Sequence, residues 1–377
     1  MKGQKKLLKI KYLVISAILL INPFLFYTGN PLGDQVRHAK MILLFLTGAS
    51  VASFICFRTF GRTIGVLCAF VFFNSVCTGF GTVQQNSVLC FSIAILAGYF
   101  LVNSKLDFHI LYLEALILSG LLNCIMAYLQ WFDLDPLWSY EPGVERTLPT
   151  AFFGQHTVLG PFISACAIAC LFRKRWVCFA LIVPIVFATT SSFSVLSLVA
   201  GVSVYLYTRI KARYFLLITA VCSLIAICSM IYIPKLKYAL GDSGRFEVWQ
   251  EVVIQYWNFP LIKKLTGYGL GSFSAIFPLV QPFNTKQYGV FIHAHNEYLQ
   301  LLFEGGIIGV CVLFYLFYVL FRAFKRGLPE YCWAHLAILT VFLANSIGSF
   351  PLHLMPHGVI ALWSFILIAS EPKALLN

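Results

Sequence analysis

The chain has 377 residues, of which 60% are hydrophobic and only 11% charged, and its formal net charge is +13. Soluble proteins are nearer to half apolar and one quarter charged, so this composition excludes an ordinary soluble domain. The apolar residues form long blocks, and the basic residues lie in short clusters between them. Such clusters are typical of topology signals in membrane proteins, and they argue against a nucleic-acid partner.

A membrane-spanning helix needs about 20 predominantly apolar residues, and about twelve blocks of the sequence meet this condition. The chain is therefore predicted to be all-α: a polytopic membrane helix bundle, with 1–377 forming a single integral membrane domain. The stretch 176–208 could form one bent span or two short ones. The predicted spans are 8–27, 40–57, 63–80, 83–102, 109–132, 157–172, 176–190, 191–208, 214–233, 298–321, 332–350 and 356–370.

The basic residues predict the orientation of these spans. The N-terminal segment before the first span is rich in lysine, and no small-residue cleavage site follows that span, so we expect an uncleaved helix with a cytoplasmic N-terminus. With twelve spans, most of the 27 lysines and arginines fall on the same side as the N-terminus. Both termini are then predicted to be cytoplasmic.

Two outer loops are long enough to carry chemistry, 133–155 and 234–297. The first contains a single basic residue, Arg146, among several acidic ones. In the second, 245–257 has helical periodicity and predicts an aromatic-rich amphipathic helix at the membrane interface. We expect one side of this helix to carry Phe246, Trp249, Val252, Val253, Tyr256 and Trp257.

Glycines recur in the second loop over 267–273, which includes Gly267 and Gly269. A tight turn is the favoured interpretation of this cluster. A phosphate-binding loop is the alternative, although the nucleotide-binding motifs need a preceding strand and a following helix.

Polar residues concentrate where the second loop meets the next span. His295 lies at this edge beside Asn296, and an imidazole that titrates near neutral pH suits general-base chemistry. The alternative is a histidine that anchors the helix start. Glu304 lies within the apolar run and needs a partner inside the bundle or a water-filled cavity.

A metal site at this edge is a further possibility, because an extended strand would align His293, His295 and Glu297 as three ligands. A helix that began at Ala294 would instead turn the two histidines apart. The cysteines show no zinc-ligand spacing. We therefore expect no metal.

Arginine suits phosphate binding because its guanidinium donates two parallel hydrogen bonds. Arg245 opens the amphipathic helix and could face the same entrance as His295. The alternatives are a side chain that reaches lipid headgroups for Arg245 and a salt bridge to a nearby glutamate for Arg146. We expect His156, His353 and His357 to be structural.

Several segments resemble the O-antigen ligase and polymerase superfamily. The stretch His295–Gly309 resembles its histidine–asparagine pair, leucine-rich helix and Glu-Gly-x-Ile-Gly signature. Ser243–Trp249 resembles its Arg-x-x-x-Trp segment, and 267–273 resembles the Gly-x-Gly turn before the histidine. Arg146 and the following Phe152–Gly160 resemble an upstream arginine and helix. One departure is that Phe193 follows Ser192, where the family often has Ser-Arg.

The resemblance implies glycosyl transfer, without metal or cofactor, at the periplasmic face of the bacterial inner membrane. The donor would be an undecaprenyl-pyrophosphate-linked glycan. The pyrophosphate would be held by Arg146 and Arg245, and His295 would assist the attacking hydroxyl. Asn296, Glu304, Gly267 and Gly269 would support the site.

The acceptor distinguishes the functions that this chemistry allows. A ligase would use lipid A-core, and a polymerase would use another glycan. We favour the ligase because neither outer loop carries the matched arginine-rich segments expected of a polymerase. A protein O-oligosaccharyltransferase is a further alternative. A transporter or flippase is a different class, which should place charges at mid-bilayer in two corresponding halves. Here the polar residues cluster on the outside and in the second half of the chain, which favours an enzyme.

Overall fold

The computed structural model of the chain describes residues 107–135, 148–153, 155–210, 244–281 and 290–369. Within these ranges all regular structure is helical, as the sequence predicted, with two short 3₁₀ turns at Ala151–Phe153 and Pro351–His353. The α-helices of these ranges are α1 (Asp107–Trp131), α2 (His156–Phe172), α3 (Trp176–Ala188), α4 (Ser192–Tyr207), α5 (Arg245–Asn258), α6 (Leu261–Thr266), α7 (Phe273–Val280), α8 (Glu297–Lys325), α9 (Glu330–Asn345) and α10 (Met355–Ala369).

Helix α2 lies in the middle of the bundle. Its side chains are buried without interruption from Val158 to Leu171, as expected of a helix that is apolar on every side. It packs against α1, α3, α4 and α9, and α9 in turn lies along α4 and α10. His357 of α10 lies 2.9 Å, by its Nε2, from the backbone oxygen of Val158, so this histidine joins two helices.

The predicted spans from 109–132 onward coincide with helices, to within a few residues, except 214–233, which lies outside the described residues. The four spans before residue 107 also lie outside them. The stretch 176–208 forms two helices, α3 and α4, and Ser191 caps the second by accepting a hydrogen bond from the Ser194 amide. In the described ranges, Tyr112–Trp131 and Glu297–Lys325 are long and apolar enough to cross a membrane. The count of about twelve spans stays a prediction.

Helix α8 is interrupted where the sequence predicted a continuous span. Gly306 has φ 58° and ψ −158°, which is not helical. A Cβ atom at this position would lie 2.5 Å from the backbone oxygen of Leu265, so α6 approaches the chain too closely for any side chain. The break separates a buried or half-buried first part of α8, before Gly306, from a second part whose apolar side chains are mostly exposed or half-buried.

Helices α5, α6 and α7 pack on the first part of α8 and form a cap over it. Phe303 is the centre of this cap, with ring centroids of Phe259, Phe273 and Tyr268 at 5.2, 5.1 and 5.6 Å. The second apolar cluster of the described chain, separate from the bundle core, lies here.

The predicted apolar side of α5 is wrong in one respect, because the helix has two such sides. Val248, Val252 and Tyr256 are buried in the cap. Phe246 and Trp257 are exposed, by 53% and 67%. The sequence pattern merged these two sides because helical periodicity marks apolar positions without showing which of them pack against protein and which stay exposed.

Candidate functional site

Helix α8 begins at Glu297, and Asn296 caps it. The Oδ1 atom of Asn296 accepts hydrogen bonds from the amides of Tyr298 and Leu299, each at 3.1 Å. Its Nδ2 donates to the backbone oxygen of Ile347 at 3.1 Å. Asn296 therefore fixes both the start of α8 and the position of α8 relative to the end of α9.

The segment before this cap is held in an unusual conformation. His295 has φ +51°, a left-handed value that is uncommon for a residue with a side chain. The backbone of Ala294 is bonded on both sides: its amide donates to Gln300 Oε1 at 3.1 Å, and its oxygen accepts from Trp249 Nε1 at 2.9 Å. These bonds maintain the strained turn.

The turn brings the two histidine side chains to one phenyl ring. The His293 ring stacks on Phe350 with centroids 4.1 Å apart and an interplanar angle of 13°. The His295 ring meets the same phenyl ring edge-on, at 5.0 Å and 75°. Because α8 begins at Glu297 and not at Ala294, the two imidazoles share a neighbour and do not turn apart.

The arrangement of His293, His295 and Glu297 does not form a set of metal ligands. The Glu297 carboxylate accepts hydrogen bonds from the amides of Leu352 and His353, at 2.6 and 3.1 Å, and also contacts the His353 ring. No group of three or more His, Cys, Asp or Glu side chains that could hold a metal occurs among the described residues. Metal independence of the activity stays a proposal.

Arg245 is the first residue of α5 and is half-buried. Its guanidinium carbon lies 5.5 Å from the centroid of the Phe193 ring. Within the described part of the chain, no carboxylate forms an ion pair with it. The guanidinium is near enough to His295 for its charge to affect that imidazole.

Both histidines of the turn favour the neutral form. Burial lowers the pKa of His295 to about 4, and the positive charge of Arg245 contributes to this shift. Burial, followed by the charges of His353 and His295, lowers the pKa of His293 to about 3. At neutral pH each imidazole therefore keeps a nitrogen that can accept a proton. His295 forms no hydrogen bond to any residue that the structure describes.

Glu304 has the partners inside the protein that its position required. Its side chain is buried and accepts hydrogen bonds from the amides of Gly271 and Phe273, at 2.9 and 3.2 Å, and from Gln300 Nε2 at 3.1 Å. The His353 Nε2 atom lies 3.5 Å away. Glu304 thus joins α8, the glycine-rich turn and the loop before α10.

His353 lies between the Glu297 and Glu304 carboxylates, and a quarter of its side chain stays exposed. Burial opposes a charged imidazole, but the two carboxylates prevail and raise the pKa of His353 well above its usual range. A positive charge here matches the two negative charges on α8. The expectation of a structural role for His353 agrees with these contacts.

The glycine-rich segment is a tight turn that docks on α8. The amides of Tyr268 and Gly269 donate to the backbone oxygens of Phe303 and Glu304, at 3.2 and 2.8 Å. Gly267 has φ +69°, and a Cβ atom there would lie 2.1 Å from the Glu304 oxygen. Amides that bond the helix in this way are not directed at a phosphate, so the alternative of a phosphate-binding loop loses its donors.

The structure thus brings together Arg245 and His295 of the predicted site, with Asn296, Glu304 and the two glycines as the framework around them. Arg146 lies outside the described residues, and its role stays a prediction. Sequence reasoning missed Phe350 as a site residue and noted Phe193 only as a departure from the family pattern. A phenyl ring carries no signal of site chemistry in an apolar sequence, so spacing alone could not single out either ring.

No curated protein gives a significant match to this chain. Residues 177–314 match the family model described as O-antigen ligase. The matched segment contains Phe193, Arg245, the glycine-rich turn, His295 and the first part of α8, whereas Arg146 and Phe350 lie beyond it. Over residues 177–314 this match confirms the resemblance to the O-antigen ligase superfamily that the motifs predicted.

Proposed function

We propose that the protein is a ligase that moves a glycan from undecaprenyl pyrophosphate to a lipid A-core acceptor. The observation that carries the proposal is the pairing of two groups that the described residues leave available. His295 is neutral and forms no hydrogen bond with those residues, and Arg245 beside it has no carboxylate partner among them. Groups so placed are available to a substrate.

The chemistry follows from these two groups. An acceptor hydroxyl attacks the anomeric carbon of the donor sugar as its bond to the pyrophosphate oxygen breaks. His295 takes the hydroxyl proton, and the pyrophosphate leaves with the bonding electrons. Arg245 stabilises the negative charge that develops on the leaving group, and we assign Arg146 the same task. No metal or cofactor takes part in this proposal.

We place the reaction at the periplasmic face of the inner membrane, with both termini in the cytoplasm. The matched family and the apolar helices support a membrane location. The exposed apolar residues of α5 and of the second part of α8 support contact with membrane lipids.

Alanine variants of the proposed site residues, compared with a control that removes a positive charge elsewhere, test the site. His295→Ala should abolish glycan transfer while the protein remains in the membrane. Arg245→Ala should weaken donor use, and Arg146→Ala should do the same. Lys263→Ala is the control, because the Lys263 ammonium lies 5.2 Å over the Tyr268 ring and away from the proposed chemistry. Equal losses in all three charge variants would indicate bulk electrostatics and not a shaped pyrophosphate site.

Deletion in the native host identifies the acceptor. A ligase predicts loss of all lipopolysaccharide ladder bands and accumulation of undecaprenyl-linked polymer. A single-repeat band would assign a polymerase, and unchanged lipopolysaccharide with loss of glycoprotein would assign a protein O-oligosaccharyltransferase. Added EDTA should leave transfer intact. Inhibition that added metal reverses would contradict metal-independent chemistry.

A further inference from the structure

Phe193 lies beside Arg245 at the start of α4. It is in the first turn of α4, and its ring is half-buried beneath the Arg245 guanidinium, 5.5 Å from centroid to guanidinium carbon. The Phe193 ring also packs against Gly348, which lies just after α9. A Cβ atom on Gly348 would lie 1.9 Å from Cζ of Phe193, so the ring fills the space that this glycine leaves.

A phenyl ring supports a guanidinium in a way that a carboxylate cannot. The ring attracts the flat face of the cation, while the N–H groups point outward in the guanidinium plane. A carboxylate would instead occupy two of those N–H groups. Since no described carboxylate pairs with Arg245, its N–H donors stay available while its guanidinium carbon lies 5.5 Å from the centroid of the Phe193 ring.

We propose that Phe193 is a positioning residue for the lipid-linked donor, holding the face of Arg245 so that the guanidinium edge can bind the pyrophosphate. The inference rests on the proposed function, because it assumes that Arg245 contacts the donor. It also gives a physical meaning to the departure at this position. A phenyl ring at this position supports the Arg245 guanidinium without adding a further positive charge.

A double-mutant cycle tests this assignment with the full-length enzyme in membranes. Phe193→Leu removes the π face and keeps an apolar side chain of similar size, and Phe193→Tyr keeps the ring. We expect Phe193→Leu to raise the donor KM roughly 3- to 30-fold, with little change in the acceptor KM. Phe193→Tyr should restore donor use. In the Arg245→Ala background, Phe193→Leu should add almost nothing.

Phe246→Leu is the matched control, because Phe246 lies next to Arg245 on α5 but is exposed and contacts Trp249 instead. It should leave the donor KM unchanged. An equal effect of Phe193→Leu with and without Arg245 would overturn the inference and leave the proposed function standing. Full activity of both Arg245→Ala and His295→Ala would overturn the proposed function, and the inference with it. The apparent melting temperatures of Phe193→Leu and Phe193→Tyr should agree. A lower value for Phe193→Leu alone would indicate a general loss of packing and would contradict a role in positioning Arg245.

Discussion

Replacement of Gly267 by alanine should damage the cap far more than an ordinary glycine substitution. Gly267 has φ 69° and ψ −170°, a region that residues with side chains almost never adopt. The new Cβ atom would also lie 2.1 Å from the Glu304 oxygen, a backbone atom of α8 that cannot rotate away. Backbone strain and overpacking together should cost about 3–5 kcal/mol. The apparent melting temperature should fall by roughly 4–6 °C.

Gly327 provides the control, because it has φ +83° but a Cβ atom added there would meet nothing within 4 Å. Gly327→Ala should cost only about 1–2 kcal/mol, from backbone strain alone. Thermal unfolding in the same detergent, followed by intrinsic tryptophan fluorescence, compares the two variants. Equal shifts would refute the reasoning, since they would mean that close approach between the turn and α8 contributes nothing.

Three further outcomes are expected. The acid limb of kcat/KM should lie near pH 4, because general-base action needs neutral His295 and is lost as pH falls through its pKa. Arg245→Gln removes a positive charge that lowers this pKa, so the limb should move to higher pH. A wild-type limb near pH 6.5 would contradict the assignment. Asn296→Ala should cost about 1 kcal/mol by loss of the cap, whereas Asn296→Asp should retain most of it, as thermal unfolding can show. Glu304→Ala should cost about 3–6 kcal/mol of stability, because three buried donors lose their acceptor, and Glu304→Gln should cost less. Limited proteolysis after heating compares each variant with the wild type, and equal resistance would mean that the carboxylate is dispensable.

The longer helices of the described ranges could be predicted because each apolar run is long and bounded by charged or turn residues, whereas the positions of the short helices α6 and α7 were not predicted. The break in α8 could not be predicted. Glycines are tolerated in membrane helices, and what forces the break at Gly306 is the close approach of Leu265, which comes from a different part of the chain. Sequence periodicity describes one helix at a time and does not register such contacts.

The polar residues of the candidate site could be singled out from the sequence, whereas the aromatic rings around them could not. Histidine, asparagine and glutamate stand out in an apolar sequence because they are costly to place near a membrane. The residues that complete the surroundings, Phe193 and Phe350, are common residues in a chain with 36 phenylalanines. Phe193 and Phe350 differ from the other phenylalanines only in where they lie, and this position is known only once α4 and the end of α9 are seen to meet the start of α8.

The spacing of the Arg-x-x-x-Trp segment has a physical explanation in this arrangement. Trp249 follows Arg245 by four residues, so both side chains emerge on one face of α5, one turn apart. The Trp249 Nε1 atom donates at 2.9 Å to the backbone oxygen of Ala294, the residue before His295. One hydrogen bond thus links the helix that carries the cation to the turn that carries the imidazole. Because His295 has a strained φ of +51°, this bond also helps to hold the turn against relaxation. The relative placement of guanidinium and imidazole is therefore set by a bond between the Trp249 side chain and the backbone of Ala294, which leaves the side chains of Arg245 and His295 available to a substrate.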